Sequence, residues 1–153
     1  MKSATIRVTK KFIFDMAHAL SGYDGPCKNI HGHTYIFSVT VKGRVENDST
    51  NPKYGLVIDF TDLKRMVQEH IIQVFDHSLV LAADSHHAQL KNSLPEHERI
   101  HLVDYQPSAE NLLLDFCRRL KAAMPENIRL HALKLEETPT SYAEWFADDQ
   151  SEE

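Results

Sequence analysis

Apolar and polar positions alternate along residues 5–18, with Ile6, Val8, Phe12, Phe14 and Met16 on one parity and Lys10 as the interruption. A period of two predicts a strand with one buried face, and His18 falls on that same parity. Residues 33–44 alternate again. His33, Tyr35, Phe37, Val39 and Val41 take one side; Thr34, Ser38, Thr40 and Lys42 take the other, with Ile36 as the exception. A Gly/Pro loop, Ser21 to Pro26, separates the two strands and ends at Cys27. Beyond a turn-rich stretch, Asp59 reads as a helix N-cap, followed by Leu63, Met66, Val67, His70, Ile71 and Val74 at helical spacing. A second helix opens at Ser108, buries Leu112, Leu113, Phe116, Cys117 and Leu120, and stops at Pro125. Residues 82–104 read as a polar excursion whose His86, His87, His97 and His101 lie on the surface. Strands are predicted over 128–137 and 141–146. The resulting order, β-β-α-α-β-β, is an α+β fold with two helices on one face of an antiparallel sheet. Its open edges call for pairing or cover, and oligomerisation edge to edge supplies it.

A chain of 153 residues fits one domain, taken as 1–147, with an acidic tail at 148–153. Hydrophobic residues at 42% and charged residues at 25% are ordinary globular usage. No run is long and apolar enough to span a membrane, and the first residues lack a signal-peptide core. Two cysteines, Cys27 and Cys117, are too few for a disulfide scaffold, so a reducing, cytoplasmic setting is expected. The net charge is −5, but residues 136–153 hold seven acids and no Lys or Arg, which leaves the body near neutral. No concentrated basic face marks a nucleic-acid binder.

Ten histidines are the unusual count, and they are not evenly spread. In Cys27-Lys28-Asn29-Ile30-His31-Gly32-His33 the two imidazoles are at i and i+2, on one face of an extended strand, with no side chain between them. They can grip one ion, and His18 supplies a third donor if the first two strands pair with His18 near His33. Catalytic zinc sites keep three protein ligands and an open position. Cys27 could close the site as a fourth, structural ligand, or stand outside it as an inert small residue or a base. Cys117 reads as core, His70 as a helix-face residue, and Asp76-His77 as a helix-end cap with a favourable dipole interaction. On the last long strand Leu133, Leu135 and Glu137 share the buried face, whereas Lys134 and Glu136 share the other.

Phe14-Asp15-Met16-Ala17-His18 and the Cys-x3-His-Gly-His run at 27–33 resemble the signature of the 6-pyruvoyl-tetrahydropterin synthase superfamily. Gly55-Leu56-Val57-Ile58-Asp59-Phe60, Phe75-Asp76-His77, Pro107-Ser108-Ala109-Glu110-Asn111-Leu112 and Glu137-Thr138-Pro139-Thr140-Ser141 follow in the same order. The short Cys-to-His gap resembles the 6-carboxy-5,6,7,8-tetrahydropterin synthase branch of the queuosine pathway. The resemblance implies a tunnelling fold, with sheets of several subunits joined into a barrel, as homotrimers or homohexamers with sites between subunits. It also implies a lyase acting on 7,8-dihydroneopterin triphosphate to give 6-carboxytetrahydropterin, acetaldehyde and triphosphate. Zn2+ would be held by His18, His31 and His33. Cys27 would act as base, His77 as proton shuttle oriented by Asp76 or Glu137, and Glu137 as the pterin anchor. Other readings remain open: the pyruvoyl-forming reaction, a structural zinc protein, and a pterin-binding module without turnover.

Overall fold

Strands β1 (Thr5–His18) and β2 (His31–Arg44) form one long antiparallel hairpin, paired from Thr5↔Arg44 to His18↔His31. The computed structural model describes residues 4–95 and 98–150. His97, expected on the surface loop, and the end of the acidic tail, residues 151–153, lie outside the described residues. Cross-strand partners share a face, so Phe12/Phe37, Phe14/Tyr35 and Met16/His33 all point to the helix-covered side. The alternation read from the sequence is what builds this face.

Asp59 caps the first helix, α1 (Phe60–Val67), by accepting the Thr61 N–H at 2.8 Å. The helix continues through a π-helical segment, Gln68–Ile72, into a short last turn, Gln73–Phe75. The wider turn shifts the helical phase, so that Ile71 and Ile72 are both buried beneath Leu63 and Val67. Helix α2 (Ala109–Ala123) starts at Ser108, whose hydroxyl accepts from Asn111 N–H, and buries Leu112, Leu113, Phe116, Cys117 and Leu120. Phe116 is the centre of the core: its ring meets Phe75 at 4.9 Å, Phe37 at 5.2 Å and Phe14 at 6.4 Å. The Asp115 carboxylate, buried next to it, accepts from Tyr105, Arg118 and Arg119.

The α+β architecture holds, but the sheet is larger and mixed. To the four predicted strands it adds β3 (Ser78–Ala82) and β4 (Ile100–Val103), both parallel to their neighbours, giving the order β4-β3-β1-β2-β5-β6. Here β5 is Ile128–Thr138 and β6 is Ser141–Phe146. Both added strands are too short to show a period of their own. Residues 82–104 are therefore not all surface loop: His101 lies in β4, half-buried, with its ring 5.2 Å from Phe75. The acidic stretch begins packed, since residues Ala147–Asp149 form a 3-10 turn and Asp148 pairs with Lys42 at 3.2 Å. No described helix is long and apolar enough to cross a membrane.

Truncating a fully buried aromatic costs about 3–5 kcal/mol, whereas surface changes stay within about 0.5 kcal/mol. Phe116→Ala should lose an amount in that range on urea unfolding, and Leu114→Ala, 56% exposed on the same helix, almost nothing. Equal losses would contradict the assigned helix faces.

Candidate active site

The hairpin register sets the site. His18 faces His31 directly, Met16 faces His33, and all three imidazoles project from the helix-covered face. Their donor nitrogens lie within 4.8 Å of one another. The His18 ring is fully buried, and the other two are partly covered.

Hydrogen bonding assigns the tautomers. His18 Nδ1 donates to the Pro107 carbonyl at 2.7 Å, and His31 Nδ1 donates to the Asn29 carbonyl at 2.8 Å. Each Nε2 is then left with a bare lone pair, yet the two Nε2 atoms are only 3.2 Å apart. No proton is available to lie between them in the neutral state. Burial is the leading cause that holds His18 and His33 below the ordinary imidazole range, against the opposing pull of Glu137. His33 Nε2 is buried with no hydrogen-bond partner. Two facing lone pairs and an orphaned third nitrogen suit a divalent cation. Nitrogens ~2.0–2.1 Å from a tetrahedral zinc are ~3.3 Å apart, and imidazoles bonded through Nδ1 to carbonyls are the usual second layer of such a site.

The loops explain how the carbonyls come to be there. Pro107 precedes the cap of α2, and Asn111 on its first turn donates to the Gln106 carbonyl at 3.0 Å. Gln106 in turn exchanges two hydrogen bonds with the Ser21 backbone, docking this corner on the loop after His18. The Pro107–Leu112 run thus earns its place by orienting His18.

Glu137 joins the same cluster. Its carboxylate lies 3.5 Å from His33 Nε2 and 4.0 Å from His18 Nε2, and accepts from the Tyr35 hydroxyl at 3.4 Å. The β5–β6 register shifts between Glu136 and Thr138 without turning Glu137 away. Glu136 stands on the other face, 3.5 Å from Lys134. Burial pushes the Tyr35 phenol well above its ordinary range, and Glu137 adds to the effect. In the sequence pattern Tyr35 is simply a core position on the parity of His33.

Cys27 sits half-buried on a 3-10 turn, Pro26–Lys28, and its thiol is outside the three-nitrogen group. The structure therefore does not bring it in as a fourth donor.

His77 is held elsewhere. Its Nδ1 lies 2.8 Å from an Asp76 carboxylate oxygen, while its backbone N–H donates to the Asp15 carbonyl at 2.7 Å. Asp15 N–H donates to Asp76 at 3.0 Å, and the Thr34 hydroxyl to the Asp15 carboxylate at 2.6 Å. These bonds fix His77 in the left-handed region, at φ 57°, which a non-glycine residue seldom adopts. Asp76, not Glu137, is the carboxylate beside His77. Asp15 and Thr34 occupy the opposite parity from His18 and His33, so β1 carries the two clusters on opposite faces. His77, Asp15 and Thr34 border an open cleft with Leu94 and Arg99. A larger groove lies at the far end of the sheet, between Arg44, Leu56, Met66 and Ile128, and touches neither cluster.

The profile of the family described as 6-pyruvoyl tetrahydropterin synthase matches residues 7–148. A Haemophilus influenzae protein named 6-carboxy-5,6,7,8-tetrahydropterin synthase is 34% identical over 141 residues, covering 91% of this chain and 97% of its own. An uncharacterized protein from Wolinella succinogenes superposes with a TM-score of 0.76 at 18% identity, covering 95% of this chain and 99% of its own. The 6-pyruvoyl tetrahydropterin synthase of Caenorhabditis elegans does so at 0.68 and 22%, covering 96% and 99%. These two structures establish the tunnelling fold.

Chelator-treated protein titrated with zinc and measured by elemental analysis should take up about one ion per chain. His33→Ala should retain well under that, and Cys27→Ala nearly all of it. Full occupancy in the His33 variant would contradict the three-nitrogen site.

Proposed function

The chain belongs to the 6-pyruvoyl tetrahydropterin synthase family, and from that premise we propose that it is a 6-carboxy-5,6,7,8-tetrahydropterin synthase. This lyase would convert 7,8-dihydroneopterin triphosphate and water to 6-carboxytetrahydropterin, acetaldehyde and triphosphate, as a cytoplasmic enzyme of queuosine synthesis. The observation that carries the reading is the meeting of three metal-ready imidazoles with the Glu137 carboxylate on one sheet face. The short spacing from Cys27 to His31 and the name of the Haemophilus influenzae relative favour the carboxy branch.

His18, His31 and His33 would hold zinc, which supplies Lewis acidity toward the oxygens of the substrate side chain. Glu137 accepts N–H donors from the amide and amino edge of the pterin; such charge-assisted bonds are worth ~1.5–3 kcal/mol each and fix the ring. Cys27, half-buried at the rim and outside the donor group, takes a side-chain proton as general base. His77 has the Asp76 carboxylate 2.8 Å from its Nδ1 to balance a proton it takes up, and it receives and returns that proton.

The opposite faces of the two clusters have a consequence for assembly. A substrate seated at His18, His31 and His33 of one chain meets His77 of another, so the working unit is a homo-oligomer, a trimer or hexamer. The sheet edges at β4 and β6 provide for such joining.

Metal-loaded protein incubated with 7,8-dihydroneopterin triphosphate should release acetaldehyde and a pterin with the mass of the 6-carboxy product. A 6-pyruvoyl product without acetaldehyde would move the chain to the other branch. Binding without turnover would reduce it to a pterin carrier.

A further inference from the structure

Tyr35 is completely buried, and its ring stacks on Phe14 at 5.3 Å and 15°. Phenylalanine would fill that space equally well, so the hydroxyl is what needs explaining, because a buried hydroxyl costs stability unless it finds an acceptor. Two acceptors are in reach: Glu137 Oε2 at 3.4 Å and His18 Nε2 at 3.5 Å. His18 already donates through Nδ1, so its Nε2 offers only the lone pair that a bound ion would use. That leaves the Glu137 carboxylate as the lasting partner. The rest of Glu137 sits at an irregularity between β5 and β6, where ladder pairing does not constrain it. Both contacts are long for hydrogen bonds from a hydroxyl, as is common before a ligand draws such a site together.

We propose that Tyr35 is a positioning residue for Glu137: its phenol holds the carboxylate beside His18 and His33, in the pose that receives the pterin ring. This rests on the reading of Glu137 as the pterin anchor. Tyr35, being enclosed, does not touch the substrate itself and acts through Glu137. The single O–H thereby links the metal-binding face of β2 to the anchor on β5.

The test uses zinc-loaded protein and 7,8-dihydroneopterin, with affinity followed by fluorescence, zinc by elemental analysis and folding by a thermal melt. Tyr35→Phe should weaken binding about tenfold, the scale of one hydrogen bond to a charged acceptor, and leave zinc content unchanged. Glu137→Gln should weaken binding more, and the double variant should bind no worse than Glu137→Gln alone. Wild-type affinity in Tyr35→Phe, or losses that simply add in the double variant, would overturn the proposal. So would zinc loss in Tyr35→Phe, which would place its action at His18, or a lowered melt with affinity intact, which would make it packing alone. Unchanged affinity in Glu137→Gln would instead refute the anchor reading on which the proposal stands.

Discussion

The register of β1 against β2 is the constraint on which both clusters depend. Pairing His18 with His31 and Met16 with His33 puts three imidazoles on the covered face, while Asp15 and Thr34 face away beside His77. Side chains alternate with a period of two, so a slip of one residue would expose the imidazoles and bury Asp15. Phe12, Phe14, Tyr35 and Phe37 oppose such a slip because all four are buried in one core with Phe75 and Phe116. Packing far from the chemistry thereby fixes the position of the chemistry.

The hairpin alone would not finish the site. Bare lone pairs facing each other at 3.2 Å are unfavourable, and two loop carbonyls, from Pro107 and Asn29, hold the rings there. The same holds for His77, whose left-handed backbone donates to the Asp15 carbonyl while the Asp15 N–H donates to the neighbouring Asp76 carboxylate. Local cost concentrates at the two clusters and is offset by the surrounding core and caps, a distribution common at functional sites.

Much of this was legible from residue pattern. The two long strands, the shared face of His31 and His33 and the face of Glu137 follow from periodicity, and the caps at Asp59 and Ser108 from the residue types that open each helical run. Strands β3 and β4 did not, because four or five residues show no clear period and their parallel partners are distant in sequence. The π-helical segment, which buries Ile71 and Ile72 together, leaves the helical spacing looking regular. Tyr35 looked like core because it is core; only its hydroxyl, seen beside Glu137, sets it apart. That β1 presents the three imidazoles and the Asp76–His77 pair to opposite sides depends on the parallel pairing of β3 with β1, which local sequence does not carry.

Sharing of each site between two copies of the chain is the central claim, and co-expression of two inactive variants tests it most directly. His33→Ala removes the metal-side cluster and His77→Ala removes the shuttle, so each alone should be inactive. If a site draws these residues from different chains, random mixed oligomers should recover about a quarter of wild-type turnover, because about that share of sites combines two intact halves. Mixed oligomers with no more turnover than either variant alone would show that His33 and His77 serve one site from a single chain, and would contradict the shared site.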